Sequence, residues 1–187
     1  MRRILALCLA LLASPGTAAP AHYTLQPESS TVGFQTAFGV DTITGQMPIT
    51  SADLTLDFAD VAASTINVVL NAAGADASFP FAAQAMKGPK VLDTATYPSL
   101  TFQSTAICKT AEGAEVTGNL TLRGTTRPLT MQAVIWRQKG QPEGDLSKLT
   151  IRLTGTLKRS DYAATGWSDM VGDEVKLDIL ARIARTE

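Results

Sequence analysis

From Tyr23 onward, apolar and polar residues alternate along most of this chain. The pattern is clearest from Glu115 to Ile135, E-V-T-G-N-L-T-L-R-G-T-T-R-P-L-T-M-Q-A-V-I. Val116, Leu120 and Leu122 share one face at period two, and Thr117, Asn119, Thr121 and Arg123 share the other. After R-G-T-T-R-P, Leu129, Met131, Ala133 and Ile135 again share a face. A period of two predicts half-buried antiparallel strands. Gly124 and Pro128 supply the backbone angles of a turn.

The same plan recurs on both sides. Val32, Phe34 and Phe38 share a face, followed by a run from Asp41 to Ile49 carrying Ile43, Met47 and Ile49. Gly45 within that run predicts a bend or the close approach of another backbone. Leu54, Leu56 and Phe58 form the next face, then Ile66, Val68 and Leu70. Leu100 and Phe102 continue in phase with Ser104, Ala106 and Cys108, which places Cys108 as a small buried residue. Leu149, Ile151, Leu153, Gly155 and Leu157 form one late strand, and Val175, Leu177, Ile179, Ala181 and Ile183 form the last. Polar connections span Arg137–Lys148 and Arg159–Asp173.

One segment loses the period. Between Phe79 and Tyr97, A-A-Q-A-M-K favours helix, Pro80 suits a helix start, and Gly88-Pro89 suits a stop. Eight to ten strands and one short helix predict a mainly β fold, as a barrel or a sandwich. The inward set mixes Phe34, Phe38, Phe58 and Phe102 with Gly45, Gly118, Ala106, Ala133 and Gly155. Small inward residues fit a tightly filled core or space for a thin apolar guest, and periodicity does not separate the two.

The N-terminus adds a different element. Arg2 and Arg3 precede the apolar run Ile4–Leu12, and small residues follow to Ala21. That is the layout of an export signal over residues 1–21, with cleavage between 18 and 21. The run is too short to span a bilayer, which takes about 20 residues. Leu7 is too bulky, and Cys8 too early, for a lipoprotein site. The destination expected from a bacterial-type leader is the periplasm, with secretion to the outside as the alternative. The processed chain would carry no integral membrane segment.

Composition then excludes function classes. Of 16 basic residues, 14 remain once Arg2 and Arg3 leave, against 17 acidic ones. No basic excess supports nucleic-acid binding. Loss of Cys8 leaves Cys108 alone, so no internal disulfide forms. His22 is the only histidine, which leaves no material for a Ser-His-Asp triad or a multi-histidine zinc site. Asp169, Asp173 and Glu174 lack the spacing of a calcium loop.

Ordered motifs now point to a family. The chain carries Y-T-L-Q-P-E-S-S-T-V-G-F, T-G-Q-M, K-V-L-D-T-A-T-Y-P-S-L-T-F-Q-S-T, V-T-G-N-L-T-L-R-G-T-T-R-P-L-T, K-R-S-D-Y and V-G-D-E-V-K-L-D-I. Together they resemble the YceI-like family of lipid- or polyisoprenoid-binding proteins, across essentially all of residues 22–187. The resemblance implies a lipocalin-like, eight-stranded antiparallel β-barrel with a short helical insertion. It implies an exported protein, not an enzyme, whose barrel holds a long isoprenoid chain, with quinones among the ligand types. It implies no further cofactor and no metal. Where many relatives carry a basic or histidine-containing segment, this chain has T-A-F-G-V. Where they have an acidic and basic cluster, it has A-S-F-P-F-A-A-Q-A-M-K. Both changes make the presumed mouth less polar.

On that reading the apolar tunnel is expected from Phe34, Phe38, Phe58, Leu100, Phe102, Leu120, Leu122, Met131, Ile151 and Leu177. The mouth is expected from Phe81, Met86, Tyr162 and Trp167. For each, the competing reading is plain core. Arg123, Arg127, Lys158 and Arg159 lie at strand ends, as solvated charges or as contacts to a polar head group. Two other functions stay open: an enzyme acting on an isoprenoid lipid, which would depend on carboxylates such as Asp161 or Asp169, and a packed, stress-related interaction protein. Exposed strand edges or the mouth would support a homodimer.

Overall fold

A computed structural model describes residues 20–186. The expected export signal therefore lies outside the described residues, apart from Pro20 and Ala21, and Ala21 already opens the first strand.

Eleven strands and one α-helix follow in order: β1 (Ala21–Leu25), β2 (Thr31–Phe38), β3 (Asp41–Gln46), β4 (Ile49–Leu56), β5 (Thr65–Asn71), β6 (Asp76–Ala77), α1 (Pro80–Lys87), β7 (Ser99–Lys109), β8 (Ala114–Leu122), β9 (Thr125–Arg137), β10 (Lys148–Lys158) and β11 (Val171–Arg185). Eight of them, β1-β4-β5-β7-β8-β9-β10-β11, close on themselves through the β1–β11 pair. Every pairing is antiparallel. An interior of eight strands is wide enough for side chains or one small ligand.

The fifteen-residue strand β11 makes the closure possible. One of its edges pairs along its length with β10. Its other edge is used twice, by β1 at Ile183–Arg185 and by β2 at Val171–Leu180. Strands β2, β3 and β6 therefore extend one end of the barrel as a flap. Beyond β6, which pairs only with β3 among the described residues, the flap has no further strand before the chain reaches β7. The chain between them, α1 and the turns up to Pro98, is tied down by Ala72 N–H donating to Pro98 O at 2.9 Å and by Met86, Val91 and Leu92 packed on the main core.

Three local features differ from the expected strands. The run Asp41–Ile49 breaks at Met47-Pro48, because Pro48 has no N–H to give a ladder. The turn expected over Arg123–Pro128 is only two residues long. Arg123 and Gly124 take φ of 51° and 71°, which joins Leu122 directly to Thr125. Positive φ at both positions matches the twist of a two-residue hairpin. Pro128 already lies in β9, on a stretch that β10 does not reach.

The third difference moves a side chain across the wall. In β7, Ser104 faces Gly118 but Ala106 faces Thr117, so Thr105 is an extra, bulged residue. One inserted residue inverts every face beyond it. Ile107 thus points inward at 6% exposure. Ala106 and Cys108, both expected on the inward face, are exposed.

The core divides in two. The larger part lines the barrel from Val32 and Leu100 round to Met131 and Ala133. The smaller part, Tyr23, Leu54, Leu56, Leu149 and Ile183, seals the end where β1 meets β4 and β11. There Tyr23 stacks edge-on against Phe58 at 5.9 Å and donates its hydroxyl to Leu146 O at 2.9 Å.

Candidate functional site

The barrel encloses a cavity of about 710 Å³. Small-molecule sites commonly span about 300–1,000 Å³ and are mostly apolar. Alternation builds this one: each strand turns every second side chain inward, and those side chains are nearly all aliphatic or aromatic. One end is closed by the Tyr23–Ile183 cluster. The other reaches solvent between the β2–β3 turn, α1 and the segment joining β10 to β11.

All ten residues expected along the tunnel line this cavity: Phe34, Phe38, Phe58, Leu100, Phe102, Leu120, Leu122, Met131, Ile151 and Leu177. Phe38 sits at the open end, 36% exposed, and its ring lies 6.4 Å from that of Phe79. Phe81, Met86 and Trp167 also line the cavity. Tyr162 does not. It is 2% exposed and packs into the core from the turn Arg159–Tyr162, away from the cavity surface. Burial, with Asp161 beside it, raises its phenol pKa.

The small inward residues are not empty space. Phe34 faces Gly45 across the β2–β3 ladder, and the ring of Phe102 lies over Gly118. A methyl group at either glycine would collide with the ring and with a backbone carbonyl, of Asp76 and Gln103 respectively. These glycines seat the aromatic rings, and the free volume lies inside them.

Among the described residues, Thr36, Asp57, Ser64 and Arg159 bring polar side chains to the cavity wall, and Trp167 adds an indole N–H at the mouth. Most of these groups are engaged by their own surroundings; Asp57 Oδ2 and the Trp167 indole N–H have no hydrogen-bond partner among the described residues. Thr36 Oγ1 donates to Glu174 O at 2.8 Å, with Gly172 O at 3.1 Å. Asp57 Oδ1 accepts from Ala59 and Asp60 N–H, both at 2.8 Å, and Ser64 Oγ accepts from Asp57 N–H at 2.9 Å. Arg159 is 7% exposed, and its guanidinium donates to four carbonyls: Gly172, Ala164, Gly166 and Val171. The planar fork of arginine suits such a cage. It fixes the mouth segment from Ala164 to Gly172 and is not a solvated charge.

Arg123 has a similar task at the neighbouring carbonyl, that of Ala163. From its left-handed turn it donates to Ala163 O at 2.6 Å and Pro89 O at 2.7 Å. It thus ties the β8–β9 hairpin to both segments that frame the opening. Arg127 donates to Asp161 O at 3.3 Å. Asp173 accepts from Ser160 Oγ and N–H, which with nearby Arg159 and Lys158 holds its carboxyl below the usual range. Among the described residues, no three His, Cys, Asp or Glu side chains gather as a metal site would require.

Several wall residues were not singled out from sequence. Ile107 was hidden by the bulge. Met170 comes from a loop without periodicity. Leu54, Ile66 and Val68 carried the right alternation but were not distinguished from ordinary core.

A closed antiparallel barrel around one apolar cavity, open at one end, defines a lipocalin-like binding barrel. Residues 23–183 match the YceI-like domain, and the chain belongs to that family. A UPF0312 protein of Yersinia pestis is 28% identical over 171 residues, covering 90% of this chain and 88% of that protein. Among solved structures, Burkholderia cenocepacia BcnA superposes with a TM-score of 0.74 at 22% identity, covering 84% of this chain and 98% of BcnA. A polyisoprenoid-binding domain from Saccharophagus degradans, implicated in plant cell wall breakdown, gives 0.60 at 14% identity, covering 89% and 99%. The Campylobacter jejuni YceI protein gives 0.62 at 18% identity, covering 99% and 94%. At these identities the structures establish a shared fold.

Proposed function

We propose that this protein binds one long-chain isoprenoid lipid, quinones included, inside its barrel and carries or stores it in an aqueous compartment. The observation that bears the reading is the cavity itself: about 710 Å³ and apolar over nearly its whole wall, with Asp57 Oδ2 and the Trp167 indole N–H as the few polar groups left to meet a head group. Such a wall suits a hydrocarbon that water excludes. Each buried methylene contributes about 0.8 kcal/mol, so a long tail provides affinity without polar contacts. Membership of the YceI-like family and the likeness to a polyisoprenoid-binding domain support the same ligand class.

The role proposed is binding rather than catalysis. Asp161 and Asp169 lie outside the cavity lining, and Asp57, which does line it, holds the N–H groups of its own turn. The leader-like residues 1–21 support export, with the periplasm as the proposed location. A volume of this size also weighs against a merely packed barrel. Protein purified from its native host, extracted with organic solvent and examined by mass spectrometry, should release about one long-chain lipid per chain. Ligand-free preparations that also refuse added isoprenoids would overturn the proposal.

A further inference from the structure

Nine large apolar side chains are exposed among the described residues, and six of them stand around the cavity mouth: Phe38, Val40, Phe79, Phe81, Trp167 and Met170. They come from three separate segments. Gly39 N–H donates to Met170 O at 3.0 Å, and the Phe38 and Phe79 rings lie 6.4 Å apart, so the three tips form one patch. Val40 has its whole side chain in solvent and Phe81 is 84% exposed. Neither exposure is needed to close the barrel. A contiguous exposed apolar patch marks an interaction surface.

We propose that this rim docks on the surface of a lipid bilayer, with Val40 and Phe81 entering the headgroup region. The inference rests on the preceding reading, since a water-insoluble chain must be taken from and returned to a membrane. Three further observations favour a bilayer over a protein. The patch is continuous with the cavity: five of its six residues also line the interior, so a tail leaving the barrel stays on apolar surface throughout. The tips project into solvent, with Val40 and Phe81 the most exposed, and Gly39 has no neighbouring atom where a side chain would begin. A deformable layer accepts such projections, whereas a protein partner would need matching hollows. The tips Phe38–Val40 and Phe79–Phe81 carry no charge. The nearest charged residues along the chain, Asp41, Asp76, Asp169 and Asp173, are all acidic, with Lys87 and Lys90 farther off, so the rim has apolar surface rather than basic charge to offer a bilayer. Lys90 also lies over the Trp167 ring at 5.9 Å. Apolar insertion with aromatic residues at headgroup level is the physics of interfacial anchors.

The test is co-sedimentation of the exported protein with phosphatidylcholine vesicles. Binding is expected, and it should change less than twofold between low and high salt, since screening acts on charges. Val40→Asp should weaken it at least tenfold. Val40 is fully exposed and lies outside the cavity lining, so this variant should fold and should bind a soluble isoprenoid as before. Phe81→Ser is a second variant expected to weaken vesicle binding. Absence of binding to neutral vesicles, binding only to anionic vesicles that salt abolishes, or a dimer that Val40→Asp dissociates would each overturn the proposal. The last result would make a second copy the occupant. Isoprenoid titration without vesicles tests the carrier reading separately: failure there with vesicle binding intact rejects the carrier, and the reverse rejects docking.

Discussion

Arg159 brings a permanent charge into an apolar wall and spends it on four backbone carbonyls. Lysine at this position would keep the charge but lose the planar fork, leaving buried carbonyls without donors. Hydrogen bonds to charged groups each contribute about 1.5–3 kcal/mol, so Arg159→Lys should destabilise the fold by about 3 kcal/mol. The urea midpoint measures this, and an unchanged midpoint would show the cage to be dispensable. Carboxylates set the acid limit. Asp173 is held low by Ser160, Asp178 by Arg152 and Asp145 by Ser147. A depressed folded pKa stabilises above the unfolded value, about 3.9 for aspartate, and that contribution is lost as pH falls through the folded values. Urea midpoints should therefore hold from neutrality to about pH 4 and drop below it, and Asp173→Asn should reduce the drop. At this scale the sequence was partly legible. The inward phenylalanines were readable because strand periodicity assigns a side chain to a face. The role of Arg159 was not, because its partners are carbonyls of a loop that no periodicity describes.

At the level of elements, the β8–β9 hairpin does two jobs. Its inward residues Val116, Leu120, Leu129 and Met131 form part of the wall, and its two-residue turn presents Arg123 to the segments around the mouth. Outside, Thr117 meets Thr130 and Thr121 meets Thr126, cross-strand pairs that leave water on that face. Gly118 is the tightest point of this hairpin. Gly118→Ala would press a methyl group into the Phe102 ring, which should cost about 1–3 kcal/mol through overpacking and push the ring into the cavity. Thermal or urea unfolding reads the first effect and weaker ligand binding the second; a silent substitution would mean the ring has room to yield. Helix α1 was legible from Pro80, which occupies its first turn, and from Gly88-Pro89, where it stops. The bulge at Thr105 was not, since an extra residue leaves no mark on the alternation except a change of phase. Ser104, Ala106 and Cys108 are each plausible on either face, so the change passes unnoticed until Ile107 is seen inside.

For the whole molecule, the decisive contact is the pairing of β1 with the end of β11, Leu25 opposite Ile183. It turns a row of one-sided strands into an enclosure, and one-sidedness alone does not distinguish a barrel from a sandwich. The same limit applied to the interior, where glycines beside phenylalanines were compatible with a filled core or with a cavity until the rings were placed. The central claim is that this enclosure binds by burying hydrocarbon, with chain length weighing more than head group because the wall is apolar almost throughout. The measurement that addresses it most directly is calorimetric titration of isoprenoids of increasing length bearing one head group. Affinity should rise by about fourfold per buried methylene, the equivalent of 0.8 kcal/mol, and level off once the chain outgrows the cavity. An affinity indifferent to chain length would contradict the account.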